Sequence, residues 1–342
     1  MKRFFLLIAA LLLSACSRAP LYQQESYVFG TRVQISVWGL PEDVAQKHVA
    51  AVFADLDRIH TRLHPWQPSE ITRINASFAR GEPALIDTET AALLKQASQY
   101  ADQSEQLFNP AMGGLVEAWG FHKDNYTATL PKSETIAGLL AAQPRMSDLT
   151  FDATTVSSSN PAVKIDTGGF AKGWALDRAA AYLRKHRVNN ALINIGGNVL
   201  ALGKKDQTPW IVGIQHPREP QAMATIALRD GEAIGTSGDY QRFFEVAGKR
   251  YSHLIDPRTG QPATTMEAAT VIAPPSLEAG AISDAATKPI FIDGIGNTLR
   301  HAKRFGLQDV LIAGNDGSVY VTADLQRRLT WIKPPVHIYR LR

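Results

Sequence analysis

Hydrophobic residues recur along this chain with two different periods. Residues 27–38 alternate, with Val33, Ile35 and Val37 on one side, and predict a half-buried strand. From Pro41-Glu42-Asp43 the period lengthens. Val49, Val52, Phe53, Leu56, Ile59 and Leu63 form one stripe at helical spacing, which is a core face. His64-Pro65-Trp66-Gln67-Pro68 breaks that helix and leaves Trp66 in a loop between prolines, as a buried anchor or as a stacking platform for a planar ligand. A second helix is predicted over 87–103, capped by Asp87 or Thr88. Beyond it, Asn109-Pro110 starts a turn, Gly113-Gly114 marks a close backbone approach, and residues 115–119 read as a short helix. Residues 122–160 are loop-rich with one helix near 133–142.

The second half alternates more quickly. A helix starting near Ala171 carries Ala175, Leu176, Ala179, Tyr182 and Leu183 on one side. Strands are predicted on both sides of Gly196-Gly197 and over 209–215, 223–229 and 232–236. Residues 243–246 and 249–254 pair as a hairpin, 270–273 form another strand, and 276–290 a further helix. Sequential hairpins between helices predict an α+β fold with mixed or antiparallel sheets and packed helices, not a doubly wound sheet.

Candidate chemistry concentrates in Lys164-Ile165-Asp166-Thr167-Gly168-Gly169-Phe170-Ala171-Lys172-Gly173. A short strand leads into a glycine turn and then a helix N-terminus, where free N–H groups favour an anion. Asp166 can accept hydrogen bonds or hold a metal, and Lys172 can meet phosphate. A plain structural turn satisfies the same pattern. The stretch matches neither G-x-G-x-x-G nor the Walker loop.

The N-terminus stands apart from the fold. Lys2 and Arg3 precede an apolar run over 4–13, too short for a stable span, and small residues lead to Cys16. Leu13-Ser14-Ala15-Cys16 resembles a bacterial lipobox, which implies a leader over 1–15, acylation of Cys16, a lipidated tether over 16–26 and a folded domain over 27–342. Cys16 is the only cysteine, so no intrachain disulfide can form. Loss of Lys2 and Arg3 would take two units from the net charge of +4, and no Lys/Arg stripe with interleaved aromatics points to nucleic acid.

Seven stretches, taken in order, resemble the ApbE-type FAD:protein FMN transferases, a family of flavin transferase lipoproteins. They are Phe29-Gly30-Thr31, Phe108-Asn109-Pro110 with Trp119-Gly120-Phe121, and Asp166-Thr167-Gly168-Gly169 through Lys172-Gly173. Asn194-Ile195-Gly196-Gly197, Thr236-Ser237-Gly238-Asp239-Tyr240, His253-Leu254-Ile255-Asp256-Pro257-Arg258-Thr259-Gly260 and Asp284-Ala285-Ala286-Thr287-Lys288 follow.

The resemblance implies an ApbE-like, T-fold-like architecture and a membrane-anchored enzyme facing the periplasm. It would take FAD with Mg²⁺, transfer FMN to a threonine hydroxyl on the flavoprotein subunit of a membrane redox complex, and release AMP. On the family pattern His253 is the base, with Asp239 a possible second acid. Phe29, Trp66, Leu107, Phe108, Asn109, Asp166, Lys172, Ile255 and Lys288 would contact the cofactor. The metal would take the Gly169 carbonyl, the Asp284 carboxylate and a threonine four residues after Asp284. Asp256 would shape its turn, and Tyr240 and Arg242 would serve packing and the acceptor surface.

Three positions depart from the family. Phe29 replaces a methionine and Asn109 an aspartate. Lys288 stands where the metal-binding threonine belongs; Thr287, one place early and about 100° away around the helix, is the threonine left as the third candidate metal ligand. Three readings of Lys288 stay open: it meets phosphate as a point charge, a water completes the metal shell, or metal binding is weakened. Two rival functions accompany them, a flavin carrier without transfer and a metal-dependent FAD pyrophosphatase.

Overall fold

A computed structural model describes residues 21–123 and 127–342; the leader and Cys16 lie outside the described residues. Its centre is a nine-stranded sheet whose spatial order follows the chain. The strands are Leu21–Val28, Thr31–Trp38, Ala191–Ile195, Asn198–Leu202, Ala233–Gly238, Ala268–Ala273, Asp309–Ala313, Val319–Val321 and Ile338–Arg340. Neighbours pair antiparallel except the last two, which are parallel. This is the α+β class that the hairpin-rich pattern predicts.

Both faces of the sheet are covered, and the period-2 alternation sorts side chains between them. Leu200, Leu202, Ala269, Val271, Val310 and Ile312 enter a large core shared with the helices Glu42–Leu63, Glu70–Ala79, Thr88–Gln103, Ala171–Lys185 and Ala279–Asp293. Val199, Ala201, Ile272 and Leu311 point the other way. They meet a three-stranded sheet formed by Trp210–Gln215, Ala222–Leu228 and Leu329–Trp331. A third cluster joins Met112, Leu115, Trp119, Phe121, Ile136, Phe244 and Ile255.

The Ala279–Asp293 helix is buried almost all round, which explains its run of small residues. It lies directly on the sheet: a Cβ on Gly235 would stand 2.2 Å from the Ser283 carbonyl oxygen.

The sequence reading needs correction at three places. The strand over 27–38 is two strands, and the hairpin pairs Leu21 with Trp38 and Val28 with Thr31. Its turn is Phe29-Gly30, at φ 55° and 67°. Residues 21–26 therefore belong to the sheet, not to a tether. A capped helix, Glu70–Ala79, was not foreseen; Ser69 accepts from the Thr72 N–H and Thr72 returns a bond to the Ser69 N–H. Finally, Ile255–Asp256 opens a second small hairpin with Gln261–Pro262.

Candidate active site

The site grows from two helices that cross backbone to backbone. In the Ala171–Lys185 helix, Gly173 has no room for a side chain: its Cβ would approach the Gly280 carbonyl oxygen to 2.3 Å and the Asp284 Cβ to 2.6 Å. Contact this close lets each helix end be capped by an aspartate of the other. Asp284 accepts from the Gly173 N–H at 2.9 Å. Asp177 accepts from the N–H groups of Gly280 and Ala281 at 2.7 and 2.8 Å. Burial pushes the Asp177 carboxyl up to about 7 against those two donors. The helix N-terminus read as an anion site thus already holds an internal carboxylate at Gly173.

The strand-like segment carrying Asp166 is held on both sides. Asn75 clamps Ile165, donating to its carbonyl at 3.0 Å and accepting its N–H at 2.7 Å. Lys164 and Asp166 donate backbone N–H groups to Ala111 and Pro110, and Gly113 donates to Lys164, so the Asn109-Pro110 and Asp166 motifs run side by side. Asp166 accepts from the Gly168 N–H at 2.8 Å. Burial raises its carboxyl, opposed by that N–H and by the charges of Arg242 and Lys172.

His253 stands at the end of the Lys249–Ser252 strand. Its Nδ1 lies 3.2 Å from the Arg242 carbonyl oxygen, which can only accept, so Nδ1 carries the proton and Nε2 is the basic nitrogen. Burial draws the imidazole down to about 3, reinforced by the charges of Arg242, Lys172 and Lys288. It is a neutral base in a positive environment.

Asp284 and Lys288 form an ion pair one helical turn apart, with side chains 2 % and 14 % exposed. The Lys288 ammonium also donates to the Asp284 carbonyl at 2.7 Å. Burial acts to raise the Asp284 carboxyl, but Lys288 and Lys172 hold it below the usual range. Burial lowers the Lys288 ammonium, with Asp284 opposing. The Lys172 charge acts on Asp166, His253, Asp284 and Lys288 alike, which makes these residues one electrostatic unit. Arg242 belongs to it too, through Asp166 and His253, whereas the sequence reading left it on the surface.

Other predicted residues fall elsewhere. Thr287 is buried with its hydroxyl bonded to Ser237 Oγ at 2.7 Å and to the Asp284 carbonyl at 2.7 Å, so it is a packing residue rather than a metal ligand. Both carboxylate oxygens of Asp239 are taken by Arg218, at 2.6 and 2.8 Å, and Arg218 also pairs with Glu267. That arrangement is an ion-pair cluster, not a free acid. Leu107, Phe108 and Ile255 are buried in hydrophobic clusters, and both backbone polar groups of Phe108 are bonded to the Ser104 hydroxyl. Phe108 still reaches Gly169, whose notional Cβ would be 3.7 Å from its ring and 3.7 Å from Lys288 Cε. The Asn109 amide is used in its turn, donating to the Pro144 carbonyl and accepting the Ala111 N–H.

Half-buried Trp66 has the Lys164 ammonium 5.0 Å from its ring centre and His122 at 5.4 Å. Phe29 is half-buried, edge-on to His60 at 5.5 Å. Asp256 shapes its turn as expected, accepting from the Arg258 N–H at 2.9 Å.

These residues do not fit a Mg²⁺ ion bound as the family pattern implies. Mg²⁺ requires oxygen ligands in near-octahedral array. Here one Asp284 oxygen is held by the Lys288 ammonium and the other by the Gly173 N–H, while the Thr287 hydroxyl is committed to Ser237. Among the described residues no group of three or more His, Cys, Asp or Glu side chains is placed to hold a metal.

The ApbE family model matches residues 29–311. A Rhodobacter capsulatus FAD:protein FMN transferase is 40% identical over 311 residues, covering 91% of this chain; the chain spans 59% of that relative's length. A Vibrio cholerae FAD:protein FMN transferase is 30% identical, covering 77% of this chain and 80% of its own. The crystal structure of an ApbE protein from Thermotoga maritima superposes with a TM-score of 0.80 at 31% identity, over 90% of this chain and 99% of the other. Matching family model, relatives and solved structure agree with the order of motifs and the antiparallel core: this chain belongs to the ApbE family.

Proposed function

We propose that this chain is an FAD:protein FMN transferase that joins FMN to a threonine hydroxyl of an acceptor redox protein and releases AMP. The observation that carries the reading is the setting of His253: its Nδ1–H faces the Arg242 carbonyl, which leaves Nε2 as the basic nitrogen, and the charges of Arg242, Lys172 and Lys288 act on it. A pyrophosphate concentrates negative charge where those cations gather, and a hydroxyl nucleophile needs a base beside them.

His253 Nε2 takes the threonine proton as the hydroxyl oxygen attacks the FMN phosphorus. A phosphodiester forms, the P–O–P bridge breaks, and AMP leaves with the bond's electron pair. Lys172 and Lys288 offset the charge that develops on the phosphates. Asp166, with its carboxyl raised by burial, offers a hydrogen-bonding group to the flavin portion, and Trp66 a half-buried face for the isoalloxazine ring. Mg²⁺, expected from the resemblance, has no step in this scheme. Acylation at Cys16 would hold the domain on the periplasmic face of a membrane beside its acceptor, a flavoprotein subunit of a membrane redox complex.

Mixing the purified protein with FAD and a threonine-bearing acceptor domain tests the reading. A mass gain on the acceptor equal to one FMN moiety, with AMP released, is expected. FAD bound and recovered intact would instead mean a carrier, and free FMN plus AMP without acceptor a pyrophosphatase.

A further inference from the structure

We infer that the Lys288 ammonium replaces the divalent cation in this chain, so that FMN transfer proceeds without Mg²⁺. The inference rests on the transferase reading above and changes its cation. The Asp284 carboxylate, which the family pattern assigns to the metal, binds Lys288 Nζ, and the Asp284 backbone carbonyl accepts from the same ammonium. The lysine's Cε lies 3.7 Å from a notional Cβ on Gly169, so the stem of the side chain passes beside the residue whose carbonyl the family pattern assigns to the metal. The remaining Asp284 oxygen is fixed by the Gly173 N–H, and the helix crossing leaves that contact no slack.

Charge arithmetic agrees. An ammonium supplies one positive charge where Mg²⁺ supplies two, so another cation must make up the difference. Lys172, Arg242 and Lys288 all act by their charge on His253, so two further cations stand near the one that binds Asp284. A lysine can do this as a compact point charge on a buried stem, whereas a threonine at the same position would need a metal to bring charge at all.

The transfer step keeps its balance: the phosphodiester forms and the P–O–P bond breaks as above, with His253 holding the proton. Only the stabiliser of the departing AMP changes.

Chelator-treated protein, FAD and acceptor domain are incubated with EDTA or with millimolar Mg²⁺, and the acceptor's mass is followed. Rates equal within about twofold are expected; stimulation of tenfold or more by Mg²⁺ overturns the inference. Lys288→Met should lower transfer by about 10²-fold at any Mg²⁺ concentration, the scale of losing one aligned charge-stabilising group. Lys288→Thr should transfer only when Mg²⁺ is added; metal-independent transfer at the wild-type rate in that variant overturns the inference.

A second readout does not depend on turnover. Mn²⁺ titration followed by electron paramagnetic resonance, with FAD bound, should find no stoichiometric site in the wild-type protein and one in Lys288→Thr. A wild-type site that Asp284→Asn abolishes overturns the inference. Absence of transfer under every condition would count against the transferase reading, while the Mn²⁺ titration would still decide the cation.

Discussion

Gly173 and Gly280 face each other where two helices meet, each leaving room only for the other's backbone. A Cβ on Gly173 would stand 2.3 Å from the Gly280 carbonyl oxygen, and one on Gly280 would stand 2.4 Å from the Gly173 carbonyl oxygen. The Asp284 bond across the two helices depends on this contact. The helix bearing the acid is brought close enough for its carboxylate to reach the Gly173 N–H, and the Asp177 carboxylate makes the reciprocal bond.

Gly173→Ala should therefore separate the helices or strain them, at a cost of about 1–3 kcal/mol. Denaturant unfolding would show a lower midpoint with an unchanged slope. Transfer should fall as well, because Asp284 and Lys288 move with the displaced helix. A variant with wild-type midpoint and rate would mean that the crossing has slack.

Asn75 acts at a distance from the reacting atoms by holding both polar groups of the Ile165 backbone, next to Asp166. Asn75→Ala strands a buried N–H and a buried carbonyl, each worth about 1–3 kcal/mol when left unpaired. The variant should lose stability on that scale and bind FAD more weakly, since the Asp166 segment loses one of its two supports. Equilibrium unfolding and quenching of flavin fluorescence check the two effects separately. Wild-type values of both would show that the Pro110 and Ala111 contacts hold the segment alone.

Much of this fold was legible because periodicity reports burial. The stripe from Val49 to Leu63 and the strands around Gly196 needed no tertiary information. The edge hairpin was hidden because its outer strand is mostly polar, with Gln23, Gln24 and Glu25, and its turn places Phe29 at φ 55° where Asn or Asp is the usual signal. The Glu70–Ala79 helix did carry a stripe, Ile71, Ile74 and Phe78, but lay in the shadow of two prolines, and its capping box uses Thr72 instead of Glu or Gln.

In the site, motif order singled out His253, Asp166, Lys172 and Asp284 as candidates. It could not say which hydroxyls or carboxylates were already engaged. Thr287 and Asp239 have suitable chemistry and are spent on Ser237 and Arg218. Nothing local to either sequence position signals those partners, which lie 50 and 21 residues away.

Asp239 provides a direct check on that distinction. Paired by both oxygens with Arg218, it should organise the surface around Glu267 and Arg250 without moving a proton in the reaction. Asp239→Asn should keep transfer within about threefold of wild type, well short of the 10²-fold that loss of an acid or base brings. Any weakening should show in KM for the acceptor rather than in kcat. A fall of 10²-fold in kcat would return Asp239 to the chemistry.

An ordinary histidine base loses activity as pH falls through about 6.5. His253 is drawn down to about 3 by burial and by Arg242, Lys172 and Lys288, so it stays neutral far below that point. Single-turnover transfer should therefore be flat from pH 8 to 5, with its acid limb displaced below 5. His253→Gln should lower the rate by about 10²–10⁴-fold and remove the limb while FAD binding persists.

Stability carries the same sign. Between 6.5 and about 3 the unfolded chain binds a proton at this position that the folded chain does not, so the contribution of His253 to stability falls as pH falls. Comparing wild type with His253→Gln across that window isolates the slope. A rate profile bending at 6.5, or no difference in slope between the two proteins, would mean that His253 is an ordinary solvated histidine; a wild-type rate in His253→Gln would mean that the proton acceptor lies elsewhere.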